Sequence, residues 1–103
     1  MSFLFTDPDA LTSASGSMLN IGTGMASSNA AAAGPTLGVV PAAADPVSAL
    51  TAGHFLSHAA LYQAISAQAA QVHEQLVSTL GSNSSAYTAA EATNTAASAA
   101  AAG

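Results

Sequence analysis

The sequence predicts an all-α protein, an antiparallel hairpin of two helices, and three observations support this fold class. Asp-Pro occurs at residues 7–8 and again at 45–46, each time directly before a segment whose apolar residues recur every three or four positions. A connection rich in glycine and proline, residues 34–41, separates the two segments. Because a short connection joins neighbouring antiparallel helices, we expect helix 1 over about residues 8–33 and helix 2 over about residues 46–80.

The two Asp-Pro pairs predict where the helices begin. Aspartate at the N-cap accepts a backbone N–H, and proline at the first helical position lacks an N–H that the helix would not have used. We therefore place the helix caps at Asp7 and Asp45. Asp9 adds a negative charge to the first turn of helix 1, where the helix dipole favours it.

Helix 1 combines an apolar stripe with three internal glycines. Each glycine costs about 1 kcal/mol relative to alanine, so we expect these bare positions to lie against another helix. The alternative is a helix that kinks or frays there. Gly34 and Pro35 should end the helix. The stripe, with spacings of three and four, consists of Leu11, Ala14, Met18, Ile21, Met25 and Ser28.

Helix 2 is longer and more apolar, and Gly81 is its predicted C-terminal stop. Beyond it the chain has no large aliphatic side chain, so we divide the sequence into a helical-hairpin domain, 1–81, and a flexible Ala/Ser-rich tail, 82–103. A helical turn or two can form around Tyr87. The broad apolar face of helix 2 includes Val47, Leu50, His54, Leu61, Ile65, Val72, Leu76 and Leu80.

The apolar surface of helix 2 exceeds what one neighbouring helix can cover. Small chains that bury little need a disulfide, a metal or a partner, and this chain has no cysteine. We therefore expect partner helices to complete a four-helix-type bundle. A second copy and a dedicated heterologous partner both satisfy this requirement. The expected partner interface comprises Leu11, Met18, Ile21, Met25, Leu50, Phe55, Leu61, Tyr62, Ile65, Val72 and Leu76.

Composition excludes several classes of function. The chain has no Lys or Arg and a formal charge of −5, so it lacks the electrostatic basis of nucleic-acid binding and of docking on anionic lipid. No apolar run approaches the length of a membrane span, so we expect no transmembrane segment. The N-terminus lacks the basic region and long apolar core of a secretory signal peptide.

The histidines and carboxylates do not form a pattern typical of catalysis. His54 and His58 have the i, i+4 spacing that can bind a metal, but they lack the glutamate of the HExxH motif. Histidines on an interfacial or solvated helix face are the favoured interpretation. His73 and Glu74 are adjacent and point to different faces. We expect no catalytic residues, no metal and no cofactor.

Several stretches together resemble the mycobacterial PE family, as a short member or as the PE domain of a longer chain. They cover essentially the whole sequence in order, from the opening Met-Ser-Phe and Pro8 onwards. Two positions depart from the family pattern: Asp9 replaces the usual glutamate, and Pro46 stands where an acid is usual. The stretches are "SNAAAAGPT" at 28–36, "GVVPAAADPVSALTA" at 38–52, "YQAISAQAAQVHEQLVSTL" at 62–80 and "YTAAE" at 87–91.

The resemblance implies a helical hairpin that pairs with a PPE-family protein and is exported by an ESX, or type VII, secretion system. The family's YxxxE secretion signal maps onto Tyr87 and Glu91. A cytosolic secretion chaperone would act through the PPE partner. The expected location is secreted or cell-surface, reached without a cleavable Sec signal peptide. The alternative is a self-associating structural protein of the cell envelope, with no dedicated partner.

Overall fold

The computed structural model describes residues 4–103, so the opening Met-Ser-Phe of the resemblance lies outside the described residues. It contains two α-helices, α1 (Pro8–Leu37) and α2 (Pro46–Ala102), and no strand among those residues. The helices pack as an antiparallel hairpin. The predicted all-α hairpin is therefore confirmed, whereas completion of a larger bundle by a partner stays a prediction.

Both helices begin at the proline that follows an aspartate. The Asp7 carboxylate accepts a hydrogen bond from the Ala10 amide at 3.0 Å. The Asp45 carboxylate accepts from the Ser48 amide at 2.9 Å and from the Ser48 hydroxyl at 2.7 Å. These bonds supply acceptors for first-turn N–H groups that no helical carbonyl can reach.

The end of α1 differs from the prediction, because the helix continues past residue 33 to Leu37 and includes Pro35. A proline in the last turn removes only one helical hydrogen bond. The Thr36 hydroxyl donates to the Ala32 carbonyl at 2.6 Å, and the Gly38 amide donates to Gly34 at 3.0 Å. The helix ends just before Gly38, where a Cβ atom would lie 2.9 Å from the Gly34 carbonyl oxygen.

The predicted end of helix 2 at residue 80 is wrong, because α2 continues through Gly81 to Ala102. A glycine stop needs a positive φ, and no glycine in the described part of the chain has one. The alanine-rich segment that follows has a high intrinsic helix propensity. The segment is therefore helical up to Ala102. That residues 82–103 form a separate, flexible tail stays a prediction.

Mainly small and polar side chains form the seam between the helices. Among residues 4–103, only Ala52, Ala59 and Ser84 are buried. The α2 residues of the seam recur with the three- and four-residue spacing of a coiled coil. They are Ala52, Leu56, Ala59, Gln63, Ser66, His73, Val77, Leu80 and Ser84. The seam leaves most large apolar residues of α2 on other faces.

The chain divides into two compact units. The loop unit, Ile21–His73, contains the connection between the helices, and the terminal unit consists of the N-terminal residues up to Asn20 and Glu74–Gly103. Each unit contains part of α1 and part of α2.

Candidate functional site

Polar contacts and one close backbone approach set the helix register in the loop unit. The Tyr62 hydroxyl donates to the Asn29 side-chain oxygen at 2.7 Å, and the Gln63 side-chain Nε2 donates to the Asn29 backbone carbonyl at 3.2 Å. The His73 ring lies over Gly22, where a Cβ atom would be 2.7 Å from His73 Cδ2. The expectation that the glycines of helix 1 face another helix therefore holds within the chain at Gly22, but not at Gly16 or Gly24.

An outer apolar face lies on α2 of the loop unit. We define it as Phe55, Leu61, Tyr62, Ile65 and Val72. All five side chains are exposed, Leu61 by 58% and Val72 by 66%. Separations of three, four and seven residues place most of them on one side of a helix. Apart from the contact of the Tyr62 hydroxyl with Asn29, the described chain leaves these side chains exposed, so the face is a candidate site for a partner helix.

The predicted interface residues divide into two groups in the structure. Leu11 and Met18 are half-buried on the side of α1 that faces α2, in the terminal unit. The remaining predicted residues are exposed, as is Leu19, which the apolar stripe did not include. Whether they bind a partner stays a prediction. The exposed predicted residues are Ile21, Met25, Leu50, Phe55, Leu61, Tyr62, Ile65, Val72 and Leu76.

The loop unit is almost without charge. Asp45 is the only Asp, Glu, Lys or Arg between Ile21 and His73. Hydrogen bonds from the Ser48 hydroxyl and amide lower the pKa of Asp45 below its ordinary value of 3.8. This carboxylate is engaged in capping α2, so it does not interrupt the outer apolar face.

In the terminal unit, a triangle of hydrogen bonds joins the start of α1 to α2 beyond Gly81. The buried Ser84 hydroxyl lies 2.7 Å from both the Pro8 carbonyl oxygen and the Thr12 hydroxyl, and Thr12 also reaches the Pro8 carbonyl at 3.1 Å. The Ser15 hydroxyl donates to the Val77 carbonyl at 3.1 Å. The spacing of apolar residues did not predict these contacts, because their signal is small polar residues at the seam positions.

Tyr87 and Glu91 lie one helical turn apart on α2, and both are exposed, Tyr87 by 43%. Their positions continue the seam spacing after Ser84 by three and then four residues. The Glu91 carboxylate accepts a hydrogen bond from the Thr6 hydroxyl at 3.1 Å. The pair therefore presents an aromatic ring and a carboxylate on the face of α2 where the segment before α1 lies.

The structure adds two findings on metals and membranes. Within residues 4–103, no three histidine or acidic side chains lie close enough together to hold a metal ion. Neither helix of this described part combines the length and apolar character needed to cross a bilayer.

Comparison with known proteins identifies relatives along almost the whole chain. The model of the PE family matches residues 4–94. The chain is 55% identical over 97 residues to PE family protein PE13 of Mycobacterium tuberculosis (strain ATCC 25618 / H37Rv), covering 94% of this chain and 98% of that protein. It is 46% identical over 99 residues to PE family protein PE8 of the same strain, covering 96% of this chain and 36% of PE8.

A third relative is much longer than this chain. The sequence is 49% identical over 96 residues to PE-PGRS family protein PE_PGRS33 of the same strain, and the match covers 93% of this chain but 19% of that protein. The chain thus spans nearly all of PE13 and less than two thirds of PE8 and PE_PGRS33. The family match over residues 4–94 and the similarity to PE13 show that this chain belongs to the PE family.

Proposed function

We propose that this PE-family chain is a non-catalytic protein that forms a heterodimer with a PPE-family protein and is exported by an ESX (type VII) secretion system. Tyr87 and Glu91 act as its YxxxE export signal. A cytosolic chaperone engages the pair through the PPE partner. The pair is secreted or reaches the cell surface without a cleavable Sec signal peptide.

The observation that carries this proposal is the outer apolar face. Five large side chains are exposed on a helix whose own seam is built mainly from small and polar residues. Fully burying one such side chain contributes roughly 1.5–3 kcal/mol, so covering the face with a helical partner would add substantial stability. The scarcity of charge in the loop unit favours an apolar, helical partner over a charged one.

Binding can be tested by co-expressing the chain with tagged PPE-family proteins and measuring co-purification. Leu61→Asp and Ile65→Asp should abolish recovery of the chain, because each buries an unpaired charge in the interface. Ala60→Asp is the matched control. It introduces the same charge at an exposed position that helical geometry turns at least about 100° away from every residue of the outer apolar face, so recovery should be retained.

Two results would contradict the heterodimer. The first is recovery of both Leu61→Asp and Ile65→Asp at the wild-type level. The second is a stable homodimeric mass for the chain alone with no retention by any PPE-family protein, which would favour the self-associating alternative.

Export can be tested separately in a mycobacterial host with an intact type VII system. Tyr87→Ala should reduce the pair in the culture filtrate to background while the co-purified complex stays intact. Ala89→Ser, an exposed neighbour in the same helix, should export normally. Normal export of Tyr87→Ala would remove the signal from the proposal and leave the heterodimer standing.

A further inference from the structure

We infer that Thr6 is a positioning residue of the export signal: its hydroxyl holds the Glu91 carboxylate, so the receptor reads a surface to which the segment before α1 also contributes. This inference rests on the proposed function, because it assigns a role within the same signal. It extends the signal from two side chains in α2 to a site assembled from residues 85 positions apart in the chain.

The first support is the contact between the two segments. The Thr6 hydroxyl donates to Glu91 Oε1 at 3.1 Å. Thr6 is half-buried and precedes the cap of α1, whereas Glu91 is exposed. A hydroxyl that donates to one carboxylate oxygen restricts the rotation of the glutamate side chain. A receptor would then meet a carboxylate in a defined orientation and would not have to order it during binding.

The second support is the set of hydrogen bonds that sets the register of this pair. The bonds from Ser84 to Pro8 and from Ser15 to Val77 attach the first two turns of α1 to α2 over residues 77–84. With this attachment in place, continuing α2 by two turns brings Glu91 level with Thr6. The contact between Thr6 and Glu91 is therefore one of several hydrogen bonds that join the two segments along the terminal unit.

The third support is the helical phase of the signal. Residues 77, 80 and 84 of α2 face α1, and Tyr87 and Glu91 continue their spacing. Both signal side chains consequently lie on the side of α2 that is turned towards the segment before α1. A receptor that contacts Tyr87 and Glu91 on this side would approach Thr6 as well.

The test compares three variants of the pair, co-expressed with a PPE partner that co-purifies with the wild-type chain. Thr6→Val removes the hydroxyl and keeps the side-chain shape, so export should fall about three- to tenfold, the range expected for one net hydrogen bond. Thr6→Ser keeps the donor and should restore export. Thr93→Val is the matched control, because this hydroxyl donates to the Ala89 carbonyl of its own helix and export should not change.

Complex yield and melting temperature are measured for every variant. Wild-type values for Thr6→Val, together with rescue by Thr6→Ser, separate positioning of the signal from a structural role. A Thr6→Val pair that exports normally while Tyr87→Ala does not would overturn this inference alone. A Thr6→Val complex that melts earlier in proportion to its export loss would also overturn it. Normal export of both Tyr87→Ala and Glu91→Ala would instead remove the export signal itself.

Discussion

Gly22 and Gly24 lie two residues apart in α1 and have opposite surroundings. A Cβ atom at Gly22 would meet the His73 ring at 2.7 and 2.9 Å, whereas nothing lies within 4 Å of such an atom at Gly24. Gly24→Ala should therefore stabilise the helix by about 0.5–1 kcal/mol. Gly22→Ala should not give this stabilisation, because the His73 ring would have to move to make room for the Cβ atom. Thermal unfolding followed by circular dichroism compares the two, and equal stabilisation would contradict the contact.

At Asp45, the capping hydrogen bonds make the start of α2 sensitive to acid. These bonds lower the pKa of the Asp45 carboxylate in the folded protein below 3.8. The stabilisation is therefore fully present above pH 3.8 and is lost as the pH falls through the lowered pKa of the folded state. The amide proton of Ser48 should report this titration by NMR with a midpoint below 3.8. In Asp45→Asn, which retains a capping oxygen, the same signal should not titrate. A wild-type midpoint at or above 3.8 would contradict the assignment.

At the scale of the elements, Ser84 should determine how firmly the last part of α2 is held. Ser84→Ala removes the buried hydroxyl from the Pro8 carbonyl and the Thr12 hydroxyl, which keep only their bond to each other, at a cost of roughly 0.5–1.5 kcal/mol. Hydrogen exchange of the backbone amides over residues 82–102 should become faster. Ser85→Ala is the control, because that hydroxyl is exposed and donates to Gly81 within the helix. Equal exchange in both variants would show that the triangle does not hold this segment.

The helix starts could be predicted from sequence, but the end of α2 could not. Asp-Pro carries its signal locally, since the cap and the proline act within one turn. Gly81 is compatible both with a helix end and with a helix interior, and contacts far away in the chain decide between them. Residues 77–84 bond to α1 through Ser15 and Pro8, which favours continuation of the helix.

The apolar stripes predicted that large residues lie on helix faces but did not predict which face packs inside the hairpin. The seam contains small and polar residues such as Ala52, Ala59 and Ser66, which allow close packing but carry little hydrophobic signal. Leu61 and Ile65 dominate the pattern and are exposed. In α2 of this family member, hydrophobic periodicity thus marks mainly the outer surface, which is the surface proposed to bind a partner.

For the whole molecule, the exposed area indicates how little the chain buries alone. Its solvent-accessible surface is 7557 Å². A compact globular protein of its mass, 9.9 kDa, would expose about 5,200 Å². The excess, together with a core limited to a few small side chains among the described residues, supports the proposal that a partner covers part of this surface.

The distribution of charge over the whole molecule predicts how that partner binding responds to salt. The chain has no Lys or Arg, and its five acidic residues lie outside the loop unit except for the capping Asp45. An interface on the outer apolar face therefore contains no ion pair made by an Asp, Glu, Lys or Arg side chain of this chain that salt could screen. The affinity for the proposed PPE partner should change less than about threefold between 0.05 and 0.5 M NaCl, and it should rise with sulfate, which strengthens apolar burial. Isothermal titration calorimetry measures both and should also give a negative heat-capacity change. A steep loss of affinity in NaCl would place the interface instead in the terminal unit, where Asp7, Asp9, Glu74 and Glu91 lie.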